Sequence, residues 1–347
     1  MSTLDTIYEC TLRQAETFLV DCVDAGLVPF IKSSPGMGKS SMVAAVSKQA
    51  NLHMIDHRLS TSSPVDMTGL PGFDKGIARF HPFEDIFPVE TTPIPEGKDG
   101  FLLFLDEFNS ALKSVQAACY KLILDRQVGQ FKLHPYTAIV LAGNLSTDNA
   151  IVTNLSTAMQ SRLIHLKIRL DFNEFMEDVA LPQQWDARIL AYLSWKSAAL
   201  NDFDPDHTND TFCCPRTWDF MNRLIKGKPV EDHKIPLYVG TISPGVALDF
   251  VQFTKVYQNL PKIEDIVHNP GSAPLPGDSA TKWATIIHLV EKADKKVFAP
   301  VCEYIRRFGI EFRLIFFRYI IARKPELRDH LEYAKAMSEL SRHLHAA

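Results

Sequence analysis

The sequence predicts an α/β protein, with a parallel sheet sandwiched by helices, followed by a mainly helical second region and a helical C-terminal tail. Three observations predict it. Short apolar runs alternate with helix-forming segments over roughly the first 170 residues. A glycine-containing loop separates the first run from the helix after it, and beyond about Asp171 strand signals give way to helical spacing. The chain has 347 residues, 46% of them apolar and 22% charged, which suits two or three folded domains and excludes a disordered, collagen-like or disulfide-knot chain.

The elements follow in order. Within Leu4 to Ala25, Leu12, Ala15, Phe18, Leu19 and Val23 recur at three- and four-residue steps, with Ile7 one longer step before them, an amphipathic helix expected to precede the first strand. LVPFI (Leu27 to Ile31) reads as that strand, SSPGMGKS as a loop, and Ser41 to Ala50 as a helix. Leu52 to Leu59, Phe101 to Phe108, Thr137 to Asn144 and Leu163 to Ile168 read as further strands, with Ala111 to Leu124 as a helix between two of them. Such alternation predicts a parallel sheet covered on both faces. Asp186 to Ala199, Thr217 to Ile225 and Gly245 to Tyr257 read as helices of a second region. Residues 261–276 are dense in proline and glycine and read as an exposed connector. The expected divisions are 1–171, 172–266, a linker at 267–280, and 281–347.

Charge excludes little. Net charge is -4, and a tail from Thr281 of about +5 sets a mildly basic end against an acidic remainder. Six cysteines without metal-ligand spacing point to a reducing cytosol, the N-terminus lacks a secretory leader pattern, and no apolar run is long enough for a membrane span.

Four motifs carry chemistry. Ser33 to Ser40 matches G-x-x-x-x-G-K-[ST] except at its first position, where serine stands for glycine. Backbone amides of Pro35, Gly36, Met37, Gly38, Lys39, Ser40 and Ser41 are the expected phosphate cradle, less proline's missing N–H. Lys39 is suited to the β- and γ-phosphates of ATP, and the Ser40 hydroxyl to Mg²⁺. If position 33 needs a positive φ, serine there costs about 1 kcal/mol. In FLLFLDE, a buried strand ends in two carboxylates, Asp106 for the Mg²⁺ shell and Glu107 to orient or deprotonate water. Asn144 ends another strand, where it is either a water-positioning amide or an ordinary turn asparagine. Arg162 and Arg216 stand at element boundaries and, by spacing alone, are solvated surface arginines.

The ordered set SSPGMGKS, FLLFLDEFN, AGN, SR and CPRTW resembles an AAA+ ATPase, most closely the MoxR-like group, over roughly residues 10 to 260. The resemblance implies that Lys39 and Ser40 are Walker A residues, Asp106 and Glu107 Walker B, Asn144 sensor 1, Arg162 an arginine finger and Arg216 sensor 2. Ser33 and Ser110 depart from the family pattern, the latter standing for an arginine common in its Walker B segment. Pro64 to Gly72 resembles a family stretch that faces the ring pore, and its plainer reading is a surface loop. The resemblance further implies a homo-oligomeric ring, usually a hexamer, with ATP at subunit junctions. It also implies a remodelled protein partner, such as one with a von Willebrand factor A domain. The alternative within the same family is a motor or loader acting on nucleic acid.

Overall fold

The computed structural model describes residues 9–148, 152–153, 155–257 and 260–344. The chain forms two compact units, Met1–Leu170 with Asp204–Asp206, and Asp171–Phe203 with His207–Ala347. The expected segments 172–266, 267–280 and 281–347 lie in the second, apart from Asp204–Asp206.

The first unit is built on six parallel strands: β1 (Glu9–Cys10), β2 (Pro29–Lys32), β3 (Leu52–Arg58), β6 (Gly100–Asp106), β9 (Thr137–Gly143) and β10 (Ile164–Ile168). Their spatial order is β1-β10-β2-β9-β6-β3. Helix α1 (Leu12–Asp24) is shorter than its apolar pattern suggests, because Thr11 and Gln14 close a reciprocal capping box. Residues Glu9 and Cys10, expected to be helical, instead pair with β10, so a strand precedes the helix. Residues 4–8 lie outside the described part.

Side-chain parity divides the core. Along β6, Leu102 and Phe104 pack with Ala15 and Leu19 of α1 and with Met42, Val43 and Val46 of α2 (Lys39–Gln49). Leu103 and Leu105 pack on the opposite face with Val115, Cys119 and Leu122 of α4 (Lys113–Asp125). Both faces of the sheet are therefore apolar, which is why β6 reads as a continuous hydrophobic run.

Between β3 and β6, α3 (Pro64–Thr68) leads into an antiparallel hairpin of β4 (Leu70–Asp74) and β5 (Ile77–His81). Residues 64–68 and 70–72 are thus helix and strand on either side of Gly69, and the segment is exposed at Val65, Leu70 and Pro71. A second, smaller hairpin joins β7 (Gln127–Val128) to β8 (Phe131–Lys132).

The second unit is helical. The helix Ser279–Lys292 packs on Ala187–Trp195, so residues after 281 share a core with residues near 190. The expected connector is also packed. It contains the helix Ile263–His268, Ile266 is fully buried, Tyr304 donates to the Pro274 carbonyl at 2.8 Å, and Arg307 donates to the Pro270 and Ala273 carbonyls. Proline and glycine set its turns, while side chains from elsewhere hold its carbonyls.

All six cysteines are buried and unpaired, and burial pushes the Cys119 thiol up to about 12. Among the described residues, no helix is long and apolar enough to cross a membrane.

Candidate functional site

The site forms where β2, β9 and β6 end. Because β9 lies between the other two, the residue following it stands between the loop after β2 and the carboxylates after β6. Parity does the rest. Asp106 continues the face of Leu102 and Phe104, and Asn144 continues that of Val140 and Ala142, so both are aimed at the side occupied by α2.

The loop before α2 is shaped by two left-handed glycines, Gly36 (φ 73°) and Gly38 (φ 88°). A Cβ at Gly38 would meet nothing within 4 Å, so glycine is required there by conformation and the adjacent space is open. Gly38 caps the helix without a side-chain hydrogen bond, leaving the first amides of an eleven-residue helix to face an anion. Ser33 does not have a positive φ, so the conditional strain is absent. Its hydroxyl is fully buried, donates to the Ser34 carbonyl at 3.0 Å and accepts from Lys39 Nζ at 3.1 Å. Serine therefore supplies the lysine with an oxygen that glycine lacks.

Lys39 Nζ also donates to the carbonyls of Ser33 and Ser34 at 3.1 and 3.3 Å, and to Asn144 Oδ1 at 3.3 Å. Ser40 Oγ donates to Asp106 Oδ2 at 3.1 Å. These contacts bring together Lys39, Ser40, Asp106 and Asn144, which are separated by up to 105 positions in the chain. Asp106 is 7% exposed. The donor set of a hydroxyl and a carboxylate, both hard oxygen ligands, fits Mg²⁺. Asp56 on β3 adds a second carboxylate nearby; partial desolvation of this surface side chain, then repulsion from Asp106, raises its carboxyl above the usual range.

Glu107 is held differently. Its backbone is left-handed (φ 56°, ψ 33°), a conformation that costs a non-glycine residue about 1 kcal/mol, and its amide donates to Asp106 Oδ1 at 2.8 Å. The turn swings its side chain toward the end of β3, where Arg58 Nε lies 3.6 Å from Oε1 and Ser60, in the turn that follows, donates to Oε2.

Sequence reasoning missed Asn109. Its amide donates to the Asn144 carbonyl at 2.8 Å and its Oδ1 accepts the Asn144 N–H at 3.1 Å, clamping the end of β9. A Cβ at Gly143 would lie 2.2 Å from Asn109 Oδ1, so Gly143 makes room for this clamp. The available signal was a polar residue directly after the Asp-Glu-Phe run. Ser60 and Arg58 carried no such signal, because only the fold sets β3 beside β6.

Among the described residues, neither arginine makes a hydrogen bond to this cluster. Arg162 is exposed and donates to the Ala158 carbonyl at 2.8 Å, at the end of the short helix Thr157–Gln160. Arg216 is exposed near the start of the helix Pro215–Ile225, in the second unit.

No protein-family model matches the chain, and no curated protein matches it. Among solved structures, NtrX from Brucella abortus is similar over 95% of this chain and 67% of its own, at 14% identity and a TM-score of 0.40. RuvB from Thermotoga maritima is similar over 73% and 76%, at 17% identity and a TM-score of 0.35. A DNA polymerase III gamma subunit-related protein from Thermotoga maritima is similar over 96% and 91%, at 11% identity and a TM-score of 0.32. These likenesses are remote, and the functional reading stands on the site itself.

Proposed function

We propose that the protein is an AAA+ ATPase of the MoxR-like kind, hydrolysing ATP with Mg²⁺ to remodel a partner protein. The observation that carries this reading is the Ser40–Asp106 hydrogen bond at 3.1 Å, with Lys39 resting on Asn144 at the end of the intervening strand. A lysine on a glycine turn has no need of either partner, whereas phosphoryl transfer needs all four together.

In this reading the amides of residues 36–41 and the Lys39 ammonium bind the β- and γ-phosphates, exchanging loop carbonyls for phosphate oxygens. Ser40 and Asp106 would hold Mg²⁺, which would neutralise charge on the phosphates. Asn144, fixed by Asn109, orients the attacking water. Glu107 accepts that water's proton after leaving Ser60 and Arg58, an exposed pairing that costs about 0–1 kcal/mol to break.

Arg162 is assigned as a finger acting on the site of a neighbouring subunit in a ring, since its guanidinium is exposed on the surface. Such a residue contributes about 10³–10⁵ in rate, which makes assembly part of catalysis. Arg216 is assigned as a reporter of the γ-phosphate on the helical second unit. The motifs' order and the acidic body of the chain favour a protein substrate over a nucleic acid.

One set of measurements tests the whole reading. ATP binding and phosphate release are measured for the wild type, for Lys39→Ala, for Arg162→Ala, and for a mixture of the two variants. Lys39→Ala is expected to lose ATP binding, and the mixture to recover part of the activity that each variant lacks. Normal ATP affinity in Lys39→Ala would overturn the phosphate-loop assignment, and a mixture no more active than its components would overturn the shared site.

A further inference from the structure

The second unit contains a cleft to which nucleotide chemistry gives no role. Its volume is about 680 Å³, within the range of sites that accept small ligands or single side chains with their neighbours. It is formed by the end of the helix Ala187–Trp195, the turn after it, and the first turns of the helix Pro244–Val256. Tyr192, Trp195, Lys196, Asp202 and Asp249 supply its chemistry.

The cleft already accommodates one cation. Lys196 Nζ lies 4.4 Å from the centroid of the Trp195 ring and 2.6 Å from Asp249 Oδ2, so an ammonium contributed by the chain itself sits between an indole and a carboxylate. Tyr192 donates to the same Oδ2 at 2.6 Å, and Asp249 Oδ1 has no hydrogen bond among the described residues. Burial raises the Asp249 carboxyl, but the hydrogen bonds from Lys196 and Tyr192 outweigh it and hold the group below the usual range. Asp202 adds a second carboxylate on an exposed residue, with Oδ1 accepting the Cys213 N–H at 2.6 Å. Two carboxylates against one ammonium leave a formal charge of one negative unit, which a single further cation would balance.

We propose that this cleft binds an arginine side chain presented by an extended segment of a partner protein, stacked on Trp195 and paired with Asp249 and Asp202, with Lys196 as a built-in competitor. A guanidinium suits the cleft better than an ammonium. It is planar, weakly hydrated and able to stack on an indole while giving two parallel hydrogen bonds to a carboxylate. Metal coordination is a poorer fit, since no group of three or more ligating side chains occurs among the described residues. The site is independent of the phosphate loop, so its failure would leave the ATPase reading intact.

The test uses the full chain without nucleotide, titrated with acetyl-Ala-Arg-Ala-amide. Binding is followed at the Trp195 indole N–H by NMR, the signal being identified by its loss in Trp195→Phe. Saturable binding on the order of millimolar is expected, weakened about tenfold when citrulline replaces arginine. Asp249→Asn and Asp202→Asn should each weaken binding severalfold, and asparagine at 202 retains the acceptor for the Cys213 amide. Lys196→Met should tighten binding about tenfold, because it removes the competing cation and doubles the net negative charge. A purely structural role for Lys196 would not predict a gain. Equal binding of the citrulline peptide, or no gain with Lys196→Met, would overturn the proposal. Tighter binding of spermidine than of the arginine peptide would reassign the cleft to a free polyamine and overturn it equally.

Discussion

Glu107 and Asp249 are both carboxylates held by two donors each, one in each unit, and the way they are held separates a group that can be released from one that is fixed. Glu107 follows a strand in a left-handed turn, and its partners Ser60 and Arg58 are exposed, Arg58 by 61% of its side chain. Asp249 sits on a regular helix, and one of its partners, Tyr192, is 1% exposed and packed among Trp195, Trp218, Phe250 and Phe253. Surface pairs of the first sort contribute about 0–1 kcal/mol, whereas a hydrogen bond from a buried hydroxyl to a charge contributes about 1.5–3 kcal/mol. Strain is likewise placed where release is needed: the backbone of Glu107 keeps the turn while the side chain is free to change partners.

The largest effect expected from breaking this contrast is Glu107→Gln. Phosphate release should fall about 100-fold or more while ATP binding persists, because the amide keeps the shape and loses the base. Unchanged turnover would remove Glu107 from that role. Next, Tyr192→Phe should destabilise the second unit by about 1–3 kcal/mol, read by denaturant titration, without altering ATP affinity. Stability within error of the wild type would show that Asp249 is not anchored by the phenol. Smaller still, Ser60→Ala should raise basal phosphate release by about two- to fivefold, since one restraint on Glu107 is gone. A decrease would mean that Ser60 positions Glu107 for reaction and does not restrain it.

These two sites were unequally legible in the sequence. Lys39, Ser40, Asp106 and Asn144 are visible because each ends a strand or opens a helix, where a polar residue interrupts an apolar run and marks its own position. The parallel sheet was legible for the same reason, from runs such as Phe101 to Leu105 that are buried on both faces. The hairpin of β4 and β5 was not, because Phe73 and Ile77 are exposed and its strands lack an inward apolar alternation. The restraint on Glu107 depends on β3 lying beside β6, with the hairpin of β4 and β5 between them in the chain. No local pattern encodes that order. The cleft around Trp195 was hidden because Lys196, Asp202 and Asp249 are isolated charges on helices and turns, and their spacing resembles that of any solvated face.

Acidification should weaken each unit through one imidazole. His57 on β3 exchanges a hydrogen bond with Ser62 Oγ at 2.8 Å, and burial lowers its pKa below the usual 6.5 even though Asp66, Asp85 and Asp56 pull it upward. His288 in the second unit is lowered by burial and then by Lys292, against Glu291 and Glu264. In both, the folded state holds the neutral ring while the unfolded chain takes up a proton. The stability each contributes is therefore present in full above pH 6.5 and is lost as pH falls through 6.5 toward the depressed folded value, with no further loss below it. Melting curves between pH 7.5 and 5 should show His57→Gln and His288→Gln each losing less stability than the wild type over that window, and the double variant least of all. A double variant as acid-sensitive as the wild type would place the titration in other groups and leave the imidazoles without a part in it.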